Sequence, residues 1–324
     1  MENYVIKFKF KSPVHFGDLS QGPDNSSSDY LMQNDSLFSA LVIEANKLFS
    51  QNGVDKIYKM CNETMTFSSM MPYKDDIFFI PKPTMLIETE KQSEKQNYAK
   101  MLKKLKYIPV SYLGEFLTKG KTSDLPVDEL VKNQSSFGVN SVNQNVAISR
   151  EENVDNLPYH IGAFTFYKNA GTYIIVRCEK EDMNFLKGLF VALQFTGLGG
   201  RKSSGYGKFD FEVINLTETQ NKDLLAYTKL LSGEFKRYMT LSICLPKDLN
   251  DELLDESYYL LVRRSGFVDS TKYNSNLVKK KDIYAFGVGS TFTQKFEGQI
   301  VDISSDYGNH PVYKNLKSFL IGVE

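Results

Sequence analysis

Cysteine is scarce in this chain. Cys61, Cys178 and Cys244 are odd in number and far apart. They supply neither a disulfide framework nor a zinc pattern, and they suit a reducing cytosol. Histidine is equally scarce, at His15, His160 and His310. No His-Asp pair or cysteine cluster has metal-ligand spacing, so neither a metal site nor a cofactor is expected. No apolar run reaches the length of a membrane span. The N-terminus begins directly as a strand pattern, without a secretory segment. Membrane insertion and export are therefore not expected, and a cytoplasmic setting is. Net charge is missing as well: 39 basic and 39 acidic side chains cancel. No global field drives the chain to nucleic acid, so any polyanion site must be built from local clusters.

What is present is a soluble, globular composition, 41% hydrophobic and 24% charged over 324 residues, long enough for two domains. Along Tyr4–Lys11, Ile6, Phe8 and Phe10 alternate with Lys7, Lys9 and Lys11, the pattern of a half-buried strand. A loop rich in Gly, Asn and Ser follows. Asn34-Asp35-Ser36 then offers capping side chains, and Asp35 reads first as a helix cap. Leu37, Phe38, Leu41, Val42, Ala45, Leu48 and Phe49 fall on one helical face, with Gly53 closing the helix. Ile77–Ile80 is a short strand. Ile161–Lys168 and Tyr173–Cys178 are two strands joined by an Asn169-Ala170-Gly171 turn. Phe185, Leu186, Leu189, Phe190 and Leu193 make a second helical stripe ending near Gly197, and Phe209, Phe211 and Val213 open another strand.

The order strand, helix, strand, insertion, strand, helix, strand is the split βαβ, or ferredoxin-like, arrangement. A polar stretch near 216–236 reads as a linker. Met239, Leu241, Ile243 and Leu245 then restart the alternation. The expectation is an α+β chain of two ferredoxin-like (RRM-like) domains, 1–215 and 216–324, with a long insertion in the first at about 133–160. The stretch 133–149 is polar, Asn- and Ser-rich and poor in core formers, so it should project as an exposed hairpin. Residues 91–121 carry eight lysines against Glu94 and Glu115, which reads as a solvated face.

The most informative segment is Gly197-Leu-Gly-Gly-Arg-Lys-Ser-Ser-Gly-Tyr-Gly-Lys-Phe209, with five glycines in eleven residues. Glycines leave backbone N–H groups open and allow them to converge on an anion. Arg201 and Lys202 add charge, Ser203 and Ser204 short donors, and Tyr206 a stacking face. Such a loop suits a phosphate backbone with a base nearby. It is not a Walker loop, because Tyr206-Gly207 follows Gly205 where Lys-Ser or Lys-Thr is required. It is not a dinucleotide fingerprint, because the helix precedes it and the strand follows. The plain alternative is a flexible turn. Arg263-Arg264-Ser265-Gly266-Phe267 could also meet phosphate and base together, with Lys279-Lys280-Lys281 extending the patch.

A helix ending in G-x-G-G-R-x-S-x-G-x-G-x-F before a strand resembles the glycine-rich loop of the RAMP superfamily (repeat-associated mysterious proteins). Three further stretches are similar to one family within it, the fourth subunits of the Csm complex, the type III-A CRISPR effector. They are Ser12–Gly17 with Asn34–Leu41, Gly289-Ser290-Thr291-Phe292 with Gly298, and His310–Tyr313. The resemblance implies a non-catalytic antiviral subunit that holds the repeat-derived 5′ handle of the guide RNA (crRNA). It implies contacts with the large polymerase/cyclase-like subunit and with a RAMP backbone subunit. It makes the insertion a thumb wedged against RNA, with Asn145 and Arg150 matching an N-x-x-x-x-R ending, Val146 and Ile148 able to press on an unstacked base, and Phe137 as a candidate wedge. The expected RNA-binding set is Gly199, Gly200, Arg201, Lys202, Ser203, Ser204, Tyr206, His15, Asn145, Arg150, Arg263 and Arg264. The competing reading is a metal-independent endoribonuclease with His15 as general base, since related processing RNases of the superfamily carry a histidine after the first strand.

Overall fold

The computed structural model describes residues 1–17, 26–85, 98, 100–119, 125–134, 137–147, 157–270, 272–274 and 276–323. The first unit runs β1 (Glu2–Phe10), α1 (Asn34–Glu63), β2 (Thr66–Phe67), β3 (Met71–Lys74), β4 (Ile77–Pro81), β5 (Tyr107–Pro109), α2 (Leu113–Lys119), α3 (Val127–Gln134), β6 (Gly138–Ala147), β7 (Leu157–Phe166), β8 (Ala170–Cys178), α4 (Lys180–Thr196) and β9 (Phe209–Asn215). The main sheet is ordered β5-β4-β3-β8-β1-β9, with β2 also on β8. Its ladders are antiparallel, and β9-β1-β8-β3 is the ferredoxin order 4-1-3-2. This places the end of β1, the end of α4 and the start of β9 at one end of the sheet, where Phe10 pairs with Phe209.

Both faces of this sheet are covered. Ile6, Phe8, Ile174 and Val176 share a core with Leu37, Phe38 and Leu41 of α1 and Leu186 and Phe190 of α4. Val5, Tyr173 and Ile175 belong to a second core on the opposite face. The clean lysine face expected of β1 is therefore interrupted. Val5 is buried, Lys7 lies 4.3 Å over the Tyr73 ring, and Lys9 is exposed. Gly53 does not close α1. The break falls at Ser50 (φ 53°, ψ −144°) and the helix resumes to Glu63. Gly53 sits in the resumed segment, where a Cβ would collide with the Ala45 carbonyl.

The expected strand at 161–168 exists as part of β7, but β7 pairs with β6 in a separate ribbon, from Gly138↔Phe166 to Ala147↔Leu157. The insertion is thus a hairpin, as its composition suggests, but its base is anchored. Phe137 is 1% exposed and packs with Phe79, Phe164 and Phe166 in the α1-side core. An aromatic held there has no face to wedge into RNA.

The second unit runs α5 (Lys222–Ser232), β10 (Tyr238–Thr240), α6 (Asp251–Leu254), β11 (Leu261–Arg264), β12 (Ile283–Phe286), β13 (Thr291–Phe292), β14 (Gln299–Asp302), β15 (Tyr313–Leu316) and β16 (Leu320–Gly322). Its sheet β13-β10-β16 repeats the β8-β1-β9 arrangement in shorter strands. The stretch 216–236 is not a bare linker, since it carries α5. Asn221 caps that helix through the N–H groups of Asp223 and Leu224. The Asp223 carboxylate accepts from the Phe78 and Ser111 N–H groups at 2.8 and 3.0 Å. Leu224 and Tyr227 then close the second core together with Met239, Leu241, Phe319 and Ile321. Of the Lys-rich stretch 91–121, residues 91–97, 99 and 120–121 lie outside the described residues; among those described, Leu102 and Leu105 are buried while Lys100, Lys103, Lys104 and Lys106 are exposed, as a solvated face requires.

Candidate nucleic-acid interface

Beyond α4 the chain turns at the sheet end just defined. Leu198 N–H donates to the Gly207 carbonyl (2.9 Å), closing the neck of the glycine loop, and Gly207 N–H donates to the Pro13 carbonyl (2.8 Å). Gly207 has φ 73°, and a Cβ there would strike the Leu198 carbonyl. Gly199 has φ 91°, and a Cβ would lie 2.6 Å from the Phe16 ring and 2.7 Å from the His15 carbonyl. These glycines therefore serve close docking of the loop on residues 13–16. Gly200 N–H is committed to the His15 carbonyl at 2.8 Å, which corrects the expectation that it is open to an anion. The outer half of the loop differs. Arg201 takes a left-handed conformation (φ 58°, ψ 27°), a single turn spans Lys202–Ser204, and Ser203 and Ser204 are exposed.

The β6–β7 hairpin stands against this loop. The Arg201 guanidinium lies 5.4 Å from the Tyr159 ring centroid, a cation–π contact. Asn143 Nδ2 donates to the Tyr206 hydroxyl at 2.9 Å. In the register of the hairpin, Asn143 faces Ile161 and Asn145 faces Tyr159. Strand alternation puts all four on the loop side and Gln144 and His160 on the other. His15 ties the assembly together. Its Nδ1 is 2.8 Å from the Gly162 carbonyl, which only accepts, so this nitrogen carries the hydrogen. Its ring also covers Gly200, whose Cβ would lie 2.8 Å from Cδ2.

Of the expected set, Gly199, Gly200, Arg201, Lys202, Ser203, Ser204, Tyr206, His15 and Asn145 thus gather on one surface. Arg150 and Ile148 lie outside the described residues. Asn143 and Tyr159 were not expected. Only the hairpin register brings them to the loop, although Asn143, two positions before Asn145, shares its face.

The two arginines of β11 part company. Arg264 is buried and grips Asp35 with Nε and Nη2 at 2.7 and 2.8 Å, while Lys314 Nζ reaches the same carboxylate at 2.7 Å. Arg264 is thus a link between the two units and is not available to phosphate. Asp35 is not the helix cap either, since that position is Gln33. Burial raises the pKa of its carboxyl, but Arg264 and Lys314 outweigh burial and hold it down at about 2. Neighbouring Asn34 uses its whole amide. It donates to the Ile243 and Asn315 carbonyls and accepts from Ile243 N–H and the Ser69 hydroxyl. Arg263, in contrast, is exposed and paired with Asp282 at 2.5 Å. All three cysteines are buried and free. Burial pushes the Cys178 and Cys244 thiols up to about 12 and Cys61 higher still, leaving no thiolate nucleophile at neutral pH. Among the described residues, no helix is long and apolar enough to cross a membrane.

Residues 7–210 match the RAMP superfamily, and residues 234–323 match the CRISPR Csm4 C-terminal domain. A Mycobacterium tuberculosis protein, CRISPR system Cms protein Csm4, is 32% identical over 100% of this chain and 98% of its own. The protein of that name from Streptococcus thermophilus is 27% identical over 99% and 98%. Among solved structures, a chain of the Csm3-Csm4 subcomplex of the type III-A CRISPR-Cas interference complex superposes with a TM-score of 0.65 at 21% identity, covering 100% of both chains. A chain of a Csm1-Csm4 cassette in complex with cA4 gives 0.60 at 16%, covering 100% and 98%. The fold is that of the RAMPs, consistent with tandem ferredoxin-like domains, and the chain belongs to the RAMP superfamily and, within it, to the Csm4 family of CRISPR proteins.

Proposed function

We propose that this chain is a non-catalytic, crRNA-binding subunit of a type III-A CRISPR effector complex, working in the cytoplasm. It holds the repeat-derived 5′ handle and bridges the large polymerase/cyclase-like subunit to a RAMP backbone subunit. The observation that carries this reading is the convergence of glycine loop, His15 and hairpin at one end of the first sheet. Arg201 and Lys202 supply charge to a phosphate backbone. Ser203 and Ser204 supply short donors, Tyr206 and Tyr159 stacking faces, and Asn143 and Asn145 base-edge or phosphate partners. The partners follow from the relatives, which are solved in assemblies with Csm1 and with Csm3. We place the unit boundary near residue 215, so that α5 opens the second unit while packing on the first.

The endoribonuclease alternative needs a base for the 2′-OH and an acid for the leaving oxygen. His15 has one ring nitrogen committed to Gly162, and His160 falls on the far face of the hairpin. Incubating the protein with labelled repeat RNA in chelator separates the readings: binding without cleavage is expected, and cleavage would establish the enzyme. In the same assay Arg201→Ala with Lys202→Ala should weaken binding and flatten its salt dependence by roughly 0.7 in log–log slope per lost phosphate contact. An unchanged slope removes the loop from the site.

A further inference from the structure

The β11–β12 ribbon has one covered face and one that is open at Leu261, Arg263 and Tyr284, with Phe286 buried at its end. Pairing runs Leu261↔Phe286, Val262↔Ala285, Arg263↔Tyr284 and Arg264↔Ile283. Val262, Arg264, Ile283 and Ala285 face inward, and Arg264 pins the ribbon to Asp35. Outward, Arg263 stands directly beside Tyr284, which is 59% exposed, with Leu261 next along the strand. The ribbon is continued by a bridge between Phe267, 54% exposed, and Lys279. Exposed aromatic rings beside cations are the makings of a single-strand platform, because every base has a face to stack and every phosphate a charge to meet. The charge is one-sided: besides the buried Arg264, residues 261–284 hold five basic and two acidic side chains. Asp282 takes one Arg263 donor and pairs with Lys279, but a guanidinium carries five donors.

The ribbon also has a fixed place on the first unit. Asp35 lies in the first turn of α1, next to Asn34, which bonds Ser69 just before β3. Because Arg264 grips Asp35, the ribbon is held against the start of α1.

We propose that the outer face of the β11–β12 ribbon is a second contact for single-stranded RNA, where Tyr284 and Phe267 stack bases and Arg263 and Lys279 meet phosphates. This rests on the RNA-binding reading above and extends it to a strand passing beyond the glycine loop. The test uses the full-length chain, fluorescence anisotropy, a short repeat-derived RNA, and the same RNA extended by a single-stranded uridine tract. The extension should tighten binding by on the order of tenfold. Tyr284→Ala with Phe267→Ala should abolish that gain, leave the short RNA's affinity and the thermal melt unchanged, and be partly rescued by Tyr284→Phe. If the extension brings no gain, or the double variant keeps it, the face is not an RNA contact and its apolar surface belongs to a protein neighbour. If the short RNA itself fails to bind the wild-type chain, the RNA-binding reading falls and this proposal falls with it.

Discussion

At the scale of single residues, the segment Asn34-Asp35-Ser36 has a structural meaning its sequence conceals. It resembles a helix start, yet Asp35 neutralises cations 229 and 279 positions away. No local pattern encodes such partners, so the role is invisible until the chain is folded. Asp35→Asn strands Arg264 and Lys314 as buried cations and should cost about 3–5 kcal/mol in a denaturant titration. The same group sets an acid limit. Its folded pKa is depressed to about 2, against about 3.9 unfolded. Its contribution is therefore complete above roughly pH 4 and lost as the pH falls through the folded value. Melts of the wild type should lose stability across that window, and Asp35→Asn should be flatter there. His15 was visible as a candidate because it follows the first strand, but its bond to Gly162 was not. His15→Ala leaves the Gly162 carbonyl without its donor and should cost about 1–3 kcal/mol. It should weaken guide binding while leaving target-RNA cleavage by a correctly assembled complex intact. Loss of cutting in such a complex would reinstate His15 as a catalytic group.

At the scale of elements, the glycine loop was the most legible part of the chain, because its composition is extreme and flanked by clear periodicities. The hairpin was half legible. Its polarity marks it as an excursion, but Phe137, Phe164 and Phe166 tie its base into the core, and β7 leaves the main sheet for β6. Alternation reveals a strand but not its partner, so the pairing could not be read. The two ends of the hairpin should therefore respond differently. Phe137→Ala removes a buried ring and should cost about 3–5 kcal/mol. Replacing 142–160 with a short Gly-Ser turn spares that ring and the Val14↔Phe164 bridge. The thermal midpoint should then shift only slightly, while co-purified guide RNA falls. Unfolding of the shortened chain would make the distal hairpin part of the core, and undiminished guide RNA would end its role as a thumb.

At the scale of the whole molecule, the chain carries no net charge yet gathers local cations with aromatic rings at one end of a two-sided sheet. The second unit was the least legible in sequence. Its strands are only two to four residues long, its own cores are small, and much of its anchoring comes from Asn34 and Asp35, supplied across the junction. The central claim is that the glycine loop and the facing hairpin hold the guide. Its most direct test is photo-crosslinking in the assembled effector, with thiouridine placed in the 5′ handle of the guide, followed by peptide mapping. Crosslinks are expected at Tyr206, Tyr159 and neighbours in 199–206, and should be lost in Arg201→Ala with Lys202→Ala. Crosslinks confined to other surfaces of this chain, with the loop and hairpin unlabelled, would contradict it.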